Sequence, residues 1–212
     1  MTALAFEKNV FVNCPFDKEH RALLRPQLFC ILALGFEPRI ALERADGAEV
    51  RVEKIIGLIN ESKFGIHDLS RLKAKKAREY FRLNMPFELG IDYACRLYRD
   101  GEFADKRILI LEDKAHELKK ALSDLSGSDV EAHNNEPVKI CKIVRDWLAQ
   151  SMGAPPAPPS DLWARFNEFT AENYLKLKVE NYSDEDIEDQ PVRELINAMR
   201  EWLRPFSETL PN

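Results

Sequence analysis

The sequence predicts an α/β protein: a flavodoxin-like three-layer sandwich with a mostly parallel sheet in the order 2-1-3-4-5, followed by a helical C-terminal tail. Three observations predict it. Short β-branched and aromatic runs alternate with amphipathic stretches as far as about residue 150, the pattern of strands joined by crossover helices. The ends of the first three of those runs carry polar residues, as the ligand-facing edge of an open parallel sheet does. The Pro-rich stretch "GAPPAPPS" at 153–160 then ends the alternation, and only helix-type periodicity follows it.

Each element has its own grounds. "NVFVNCP", 9–15, is a buried strand stopped by Pro15. Asp17 caps the next helix, whose apolar residues Leu24, Leu28, Ile31 and Leu32 recur at helical spacing. Pro26 is expected to kink or split that helix, and Gly35 to end it. "FEPRIALE", 36–43, is a second strand. "VRVEKIIGLINES", 50–62, is a helix with Val52, Ile55, Ile56 and Ile59 on one side. "FGIHDLS", 64–70, is a third strand, followed by the basic stretch "RLKAKKAREYFR". "NMPFELGIDYACRLYR", 84–99, is a helix with Pro86 near its first turn, where proline is tolerated. "KRILILED", 106–113, is the most hydrophobic strand, and "AHELKKALSDL" is an amphipathic helix. A short fifth strand falls at Val130–Ala132, and "PVKICKIVRDWLAQ", 137–150, closes the repeat as a helix.

These elements divide the chain into an α/β domain over 1–152, a linker over 153–160 and a helical extension over 161–212. Trp163, Phe166, Phe169, Leu195, Met199 and Trp202 are expected to dock the extension on the domain. The acidic "SDEDIEDQ" between its helices reads as a solvated loop.

Composition limits the function. A hydrophobic content of 45% supports a real core, and a net charge of −5 with mixed signs gives no reason to expect nucleic acid or an anionic membrane as partner. No apolar run is long enough to span a bilayer, and "MTALAFEKNVFVN" lacks the features of a signal peptide. Four scattered cysteines without a C-x-x-C pair argue against a zinc site or a disulfide scaffold. The expectation is a reduced, cytoplasmic protein with no metal and no cofactor. No Gly-rich phosphate loop is present, which argues against a kinase, an ATPase or a dehydrogenase.

One residue breaks the apolar pattern: Glu88, set among Met85, Pro86, Phe87, Leu89 and Ile91. One turn into a helix and aimed at the carboxyl edge of the sheet, it would meet the residues that end the strands. Asn84 lies at i−4 on the same helix face. Asn13, Phe16 and Asp17 follow the first strand, Arg44 and Arg51 flank a loop after the second, and Asp68 and Ser70 end the third. The basic stretch containing Arg82 is either a phosphate-binding lid or a solvated surface. His67 is expected to be packed and hydrogen-bonded, Cys14 to be a small core residue, and Trp147, Trp163 and Trp202 to serve packing.

"F-x-I-x-D-L-S" followed by "N-x-P-F-E-L-G", after an opening "VFVNCPFD", resembles the nucleoside 2-deoxyribosyltransferase-like and Toll/interleukin-1 receptor (TIR)-like superfamily over roughly residues 9–112. The resemblance implies cleavage of an N-glycosidic bond in a nucleoside or in a dinucleotide such as NAD, with Glu88 as the catalytic carboxylate. For bacterial TIR-like members it also implies a part in antiviral defence. The longer basic stretch and the Pro-linked tail depart from the pattern.

The chemistry agrees with that implication. Breaking a C1′–N bond builds positive charge on the ribose, which an ionised carboxylate stabilises or traps. The nicotinamide of NAD departs neutral and needs no general acid. An ordinary nucleoside base must be protonated, and Asp68 is the candidate acid. The expected function is an N-glycosidase acting on NAD or a related nucleotide. Glu88 and Asp68 are its catalytic residues, and Asn13, Phe16, Asp17, Arg44, Arg51, Ser70, Asn84 and Arg82 hold the substrate. The alternatives are a non-enzymatic TIR-like nucleotide-sensing or assembly module working as a homo-oligomer, and a deoxyribosyltransferase or nucleotide hydrolase.

Overall fold

The computed structural model describes residues 3–43, 48–71, 83–125, 127–153 and 155–207. Five strands form one parallel sheet: β1 (Asn9–Asn13), β2 (Glu37–Arg39), β3 (Phe64–Asp68), β4 (Arg107–Glu112) and β5 (Val130–Ala132). Their order is β2-β1-β3-β4-β5, with every neighbouring pair parallel. The helices are α1 (Ala3–Phe6), α2 (Arg21–Ala33), α3 (Arg51–Asn60), α4 (Asn84–Tyr98), α5 (Leu118–Ala121), α6 (Pro137–Ala149), α7 (Pro159–Val179), α8 (Asp184–Glu188) and α9 (Val192–Ser207). This is the α/β flavodoxin-like sandwich, with a C-terminal helical region.

The period-two pleat assigns the strand residues to two faces. Val10, Val12, Phe64, Ile66, Leu109 and Leu111 join the large core that includes residues of α2 and α6. Phe11 turns the other way and packs with Ile55, Leu58 and Ile59 of α3 and Cys95 of α4. Ile110 packs with Leu89 of α4 and Leu118 of α5. No helix among the described residues is long and apolar enough to cross a membrane.

Local chemistry sets several boundaries. Asp17 caps a 3₁₀ turn over Lys18–His20 by accepting from the His20 amide, and α2 follows directly. Pro26 does not split α2, which runs unbroken across it. Gly35 ends this helix with φ +77°, and the Phe36 amide reaches back to the Ile31 carbonyl at 3.1 Å. That closure requires the left-handed residue that glycine supplies without strain. The second strand is only three residues long, because the chain turns into a 3₁₀ segment at Ala41–Glu43.

The amphipathic stretch after β4 makes only the single turn α5. His116 breaks the run with a left-handed φ of +69°, and the buried Glu112 carboxylate holds that loop by accepting from the His116 and Leu118 amides, both at 2.7 Å. The acidic segment of the tail also differs from its expected form. It folds into α8 through a capping box of Ser183 and Asp186. Its end is held by Arg21 and Arg25, which donate to the Glu188 carbonyl, while Ile187 is buried.

The extension docks as expected. Leu162, Phe166, Phe169, Leu195, Met199 and Leu203 belong to the same core as α2. Phe29 of α2 stacks on Phe169 at 5.7 Å and meets Trp202 at 5.8 Å. Arg145 of α6 donates to the Pro156 and Ala157 carbonyls and pins the Pro-rich segment.

Candidate active site

Glu88 lies in the second turn of α4 and is 7% exposed. It lines a cavity of about 170 Å³ together with Arg51, Val52, Ile55, Asn84 and Phe87. Asn84 and Glu88 share this wall because they are four residues apart on one helix. No hydrogen bond or ion pair among the described residues engages the Glu88 carboxylate. Burial pushes its pKa above the ordinary glutamate range, and the Arg51 guanidinium opposes that rise. The group is thus a carboxylate facing open space, with one cation near enough to favour its charge.

Asp68 is elsewhere. Residues 67 and 68 are neighbours on β3, so the pleat sends their side chains to opposite faces of the sheet. His67 faces α4, and Asp68 faces the start of α2. Asp68 is fully buried with its Oδ2 3.3 Å from both His20 Nε2 and His133 Nε2, and its Oδ1 accepts the Ser70 amide at 2.9 Å. Burial raises its pKa, but the neighbouring His133 and His20 imidazoles outweigh burial and hold it below the usual range. This overturns the expectation that Asp68 donates a proton to a leaving base. It is ionised, enclosed and absent from the Glu88 cavity.

His67 belongs to a different network. Asn13 Nδ2 lies 3.0 Å from His67 Nδ1 and donates to the Met85 carbonyl at 3.0 Å. The amide can only donate, so His67 accepts at Nδ1 and carries its proton at Nε2, which meets Asp92 Oδ2 at 3.0 Å. The other Asp92 oxygen faces Lys106 Nζ at 3.1 Å, and Lys106 also donates to the carbonyls of Ile59 and Ser62. Burial raises Asp92, and the His67 bond with the Lys106 charge more than reverses it. Gly65 makes room for this: a Cβ there would stand 2.1 Å from Asp92 Oδ2.

The expected site residues therefore separate into groups. Arg51, Asn84 and Glu88 come together. Ser70 lines a second cavity, described below, and not the Glu88 one. Asn13 is 3% exposed, and its amide ties β1 to α4 through Met85 and His67, so the structure gives it a positioning task in place of substrate contact. Asp17 caps the turn before α2 and pairs with Arg71 at 2.8 Å. Phe16 is half-buried between two core clusters. Arg44, Arg82 and the rest of the basic stretch after Arg71 lie outside the described residues.

Cys14 is buried, and burial with the Asp68, Asp17 and Glu88 carboxylates pushes its thiol up, which suits a core residue and not a nucleophile. All four cysteines are free and buried. Among the described residues no group of three or more His, Cys, Asp or Glu side chains is arranged to hold a metal ion.

Sequence reasoning missed His20, His133, Asp92 and Lys106. His20 and His133 follow β1 and β5, so the rule that ligands gather at carboxyl ends of strands could have flagged both. Asp92 and Lys106 carry no local signal, since only folding brings them together. Comparison with protein-family models, curated proteins and solved structures returned no match for this chain.

Proposed function

We propose that this protein is an N-glycosidase that cleaves the ribosyl–nicotinamide bond of NAD or a related nucleotide, with Glu88 as the carboxylate that stabilises the ribosyl cation. The observation that supports this is a nearly buried Glu88 carboxylate facing a cavity without a protein partner among the described residues. A carboxylate kept out of water and aimed at open space interacts strongly with positive charge that develops there.

The lining of the cavity also favours a cationic leaving group. Arg51, Val52, Ile55, Asn84 and Phe87 include no acid that could protonate a departing base. Asp68, the one candidate for that task, is enclosed on the other face of the sheet. Nicotinamide leaves neutral without a proton, so a site with one carboxylate and no further acid among the described residues suits it better than a purine or pyrimidine nucleoside. A volume of about 170 Å³ is below the ~300–1,000 Å³ of sites that enclose a drug-sized ligand. It suits one ring of the substrate at the reacting bond, with the remainder lying across the rim beside Arg51.

The test is nicotinamide release from NAD, followed by chromatography. The protein is expected to release nicotinamide, and Glu88→Gln is expected to lower the rate by about 10²-fold or more, in line with loss of a charge-stabilising group. Its thermal unfolding should stay near that of the unaltered chain. Undiminished turnover in Glu88→Gln would refute the mechanism.

A further inference from the structure

A larger cavity opens on the opposite face of the sheet, and nothing in the proposed reaction uses it. Its volume is about 490 Å³, within the ~300–1,000 Å³ of ligand sites. Its lining comes from the segments that follow β1, β3, β4 and β5. It therefore lies at the carboxyl ends of the strands, beside the point where the strand order reverses, and open α/β sheets hold their ligands there.

The walls carry an excess of negative charge. Three carboxylates line the cavity, Glu19, Asp113 and Glu117, against two cations, Arg71 and Lys114. Asp17 deepens the imbalance, because it shares the Arg71 guanidinium with Glu19, at 2.8 Å and 3.1 Å. Lys120 is largely exposed and stands 4.0 Å from Glu117, so it offsets little. Asp113 is half-buried, and its carboxylate accepts from a neutral group, Asn135 Nδ2, at 2.6 Å. A concave wall of one sign attracts ions of the other.

A second observation is independent of those charges. The His20 side chain is only 2% exposed, yet it lines the cavity. Its Nε2 is buried 3.3 Å from Asp68 Oδ2 without a well-aligned hydrogen bond, and no hydrogen bond among the described residues engages Nδ1. Burial lowers the His20 pKa against the pull of Asp68, so near pH 7 the ring is neutral and holds one proton. The anionic Asp68 oxygen draws that proton to Nε2. A lone pair is left on Nδ1, and buried acceptors without a donor are rare in folded chains. A donor entering the cavity would meet it.

One imidazole acceptor with carboxylates from separate strand ends suits an ammonium group, whose N–H bonds diverge, better than the planar fork of a guanidinium. Ser70 and Asn135 add polar surface, so the rest of the ligand is hydrophilic. A bare divalent ion fits less well, because Arg71 and Lys114 share the lining and no metal-holding group of side chains converges among the described residues.

We propose that this crevice is a second binding site, for a small hydrophilic primary amine in its protonated form, an amino sugar or a short diamine, whose ammonium donates to His20 Nδ1 and lies in the field of Asp113 and Glu117. Asp68, set behind His20, fixes its ring and tautomer. This site is independent of the Glu88 chemistry, since the two cavities share no lining residue.

Calorimetric titration of the full chain with glucosamine and with putrescine, in an amine-free buffer, tests it. Saturable binding at millimolar concentration is expected for at least one of them, and which one binds distinguishes the two sources of the ammonium. Glucose and 1,4-butanediol lack the charge, and choline has the charge but no N–H; each should bind at least about tenfold more weakly. Asp113→Asn keeps an oxygen for Asn135 and removes a charge, so affinity should fall by about tenfold. Lys114→Gln, an exposed change, removes an opposing cation and should tighten binding by about twofold or more. Glu88→Gln should bind like the unaltered chain. The proposal is overturned if neither amine saturates, if choline binds as tightly as the amines, or if Asp113→Asn leaves the affinity unchanged. Weaker binding in Lys114→Gln also overturns it, as does loss of binding in Glu88→Gln, which would place the ligand in the other cavity. Because nicotinamide release is measured separately, failure here leaves the N-glycosidase reading standing, and the reverse also holds.

Discussion

On one face of the sheet Asp92 meets a lysine and a histidine; on the other, Asp68 meets two histidines. Both acids are fully buried, and each is bonded to a residue of the strand-end region around β3. They differ in what balances the charge. Asp92 has a permanent cation, Lys106, at 3.1 Å that is itself held by the Ile59 and Ser62 carbonyls, and His67 closes the network with a 3.0 Å bond. Asp68 has no permanent cation beside it, only imidazoles at 3.3 Å and one backbone amide, and its neighbour His20 lines a 490 Å³ cavity. A buried charge with a fixed partner holds a structure together. A buried charge balanced by titratable groups beside open space is poised to respond to something that enters.

The largest test of that contrast is stability. Lys106→Met leaves Asp92 buried without its cation and should cost about 3–5 kcal/mol, a fall in Tm of roughly 2–4 °C for each kcal/mol in a chain of this size. Asp68→Asn removes a carboxylate whose neighbours can stay neutral and should cost about 1–3 kcal/mol. Thermal or urea unfolding of the two variants decides the matter, and a reversed order would contradict the roles assigned to the two clusters.

Gly65→Ala sharpens the comparison by forcing a Cβ against Asp92, with an expected loss of ~1–3 kcal/mol. In a double-mutant cycle with Asp92→Ala, the second change should relieve the clash caused by the first, so the two losses should not add. Additive losses would mean that the glycine is needed for some other reason.

The smallest effect concerns Glu88, a buried acid on α4. Glu88 has neither a fixed cation in contact nor a histidine, and burial has raised its pKa against the pull of Arg51. If the reaction needs the ionised form, nicotinamide release should rise as pH increases through that raised pKa, with a midpoint above the ordinary 4.5. Arg51→Ala removes the opposing cation and should move the midpoint to higher pH, a change read from kcat/KM against pH. A midpoint that stays in place or falls would show that Arg51 does not act on this carboxylate.

Much of the architecture was legible because it rests on local pattern. The alternation of strands and helices, the glycine end of α2 and the docking aromatics of the tail can each be seen in a short window of residues. The long helix expected after β4 failed because His116 takes a left-handed φ of +69° where the chain wraps the Glu112 carboxylate, so the helix starts only at Leu118, and no residue type there announces that turn. The acidic tail segment was read as a loop although its Ser183–Asp186 capping box is local; only its docking partners, Arg21 and Arg25, lie far away in α2. At the site, Glu88 was visible as a polar residue in an apolar pattern, and Asn84 followed from helical spacing. Asp68 was placed beside them because sequence distance cannot show which way a strand's pleat points.

The sequence alone therefore determined the alternating strands and helices and the anomalous acid on α4, which follow from periodicity and turn chemistry, while the sheet order was inferred from the pattern that such an alternation fits. Only the tertiary structure decided that His67 and Asp68, adjacent in the chain, serve opposite faces, and that the second is enclosed by histidines from α2's approach and the end of β5. The reason is physical: periodicity is a property of one segment, whereas burial and the partner of a charge are properties of what other segments bring to it.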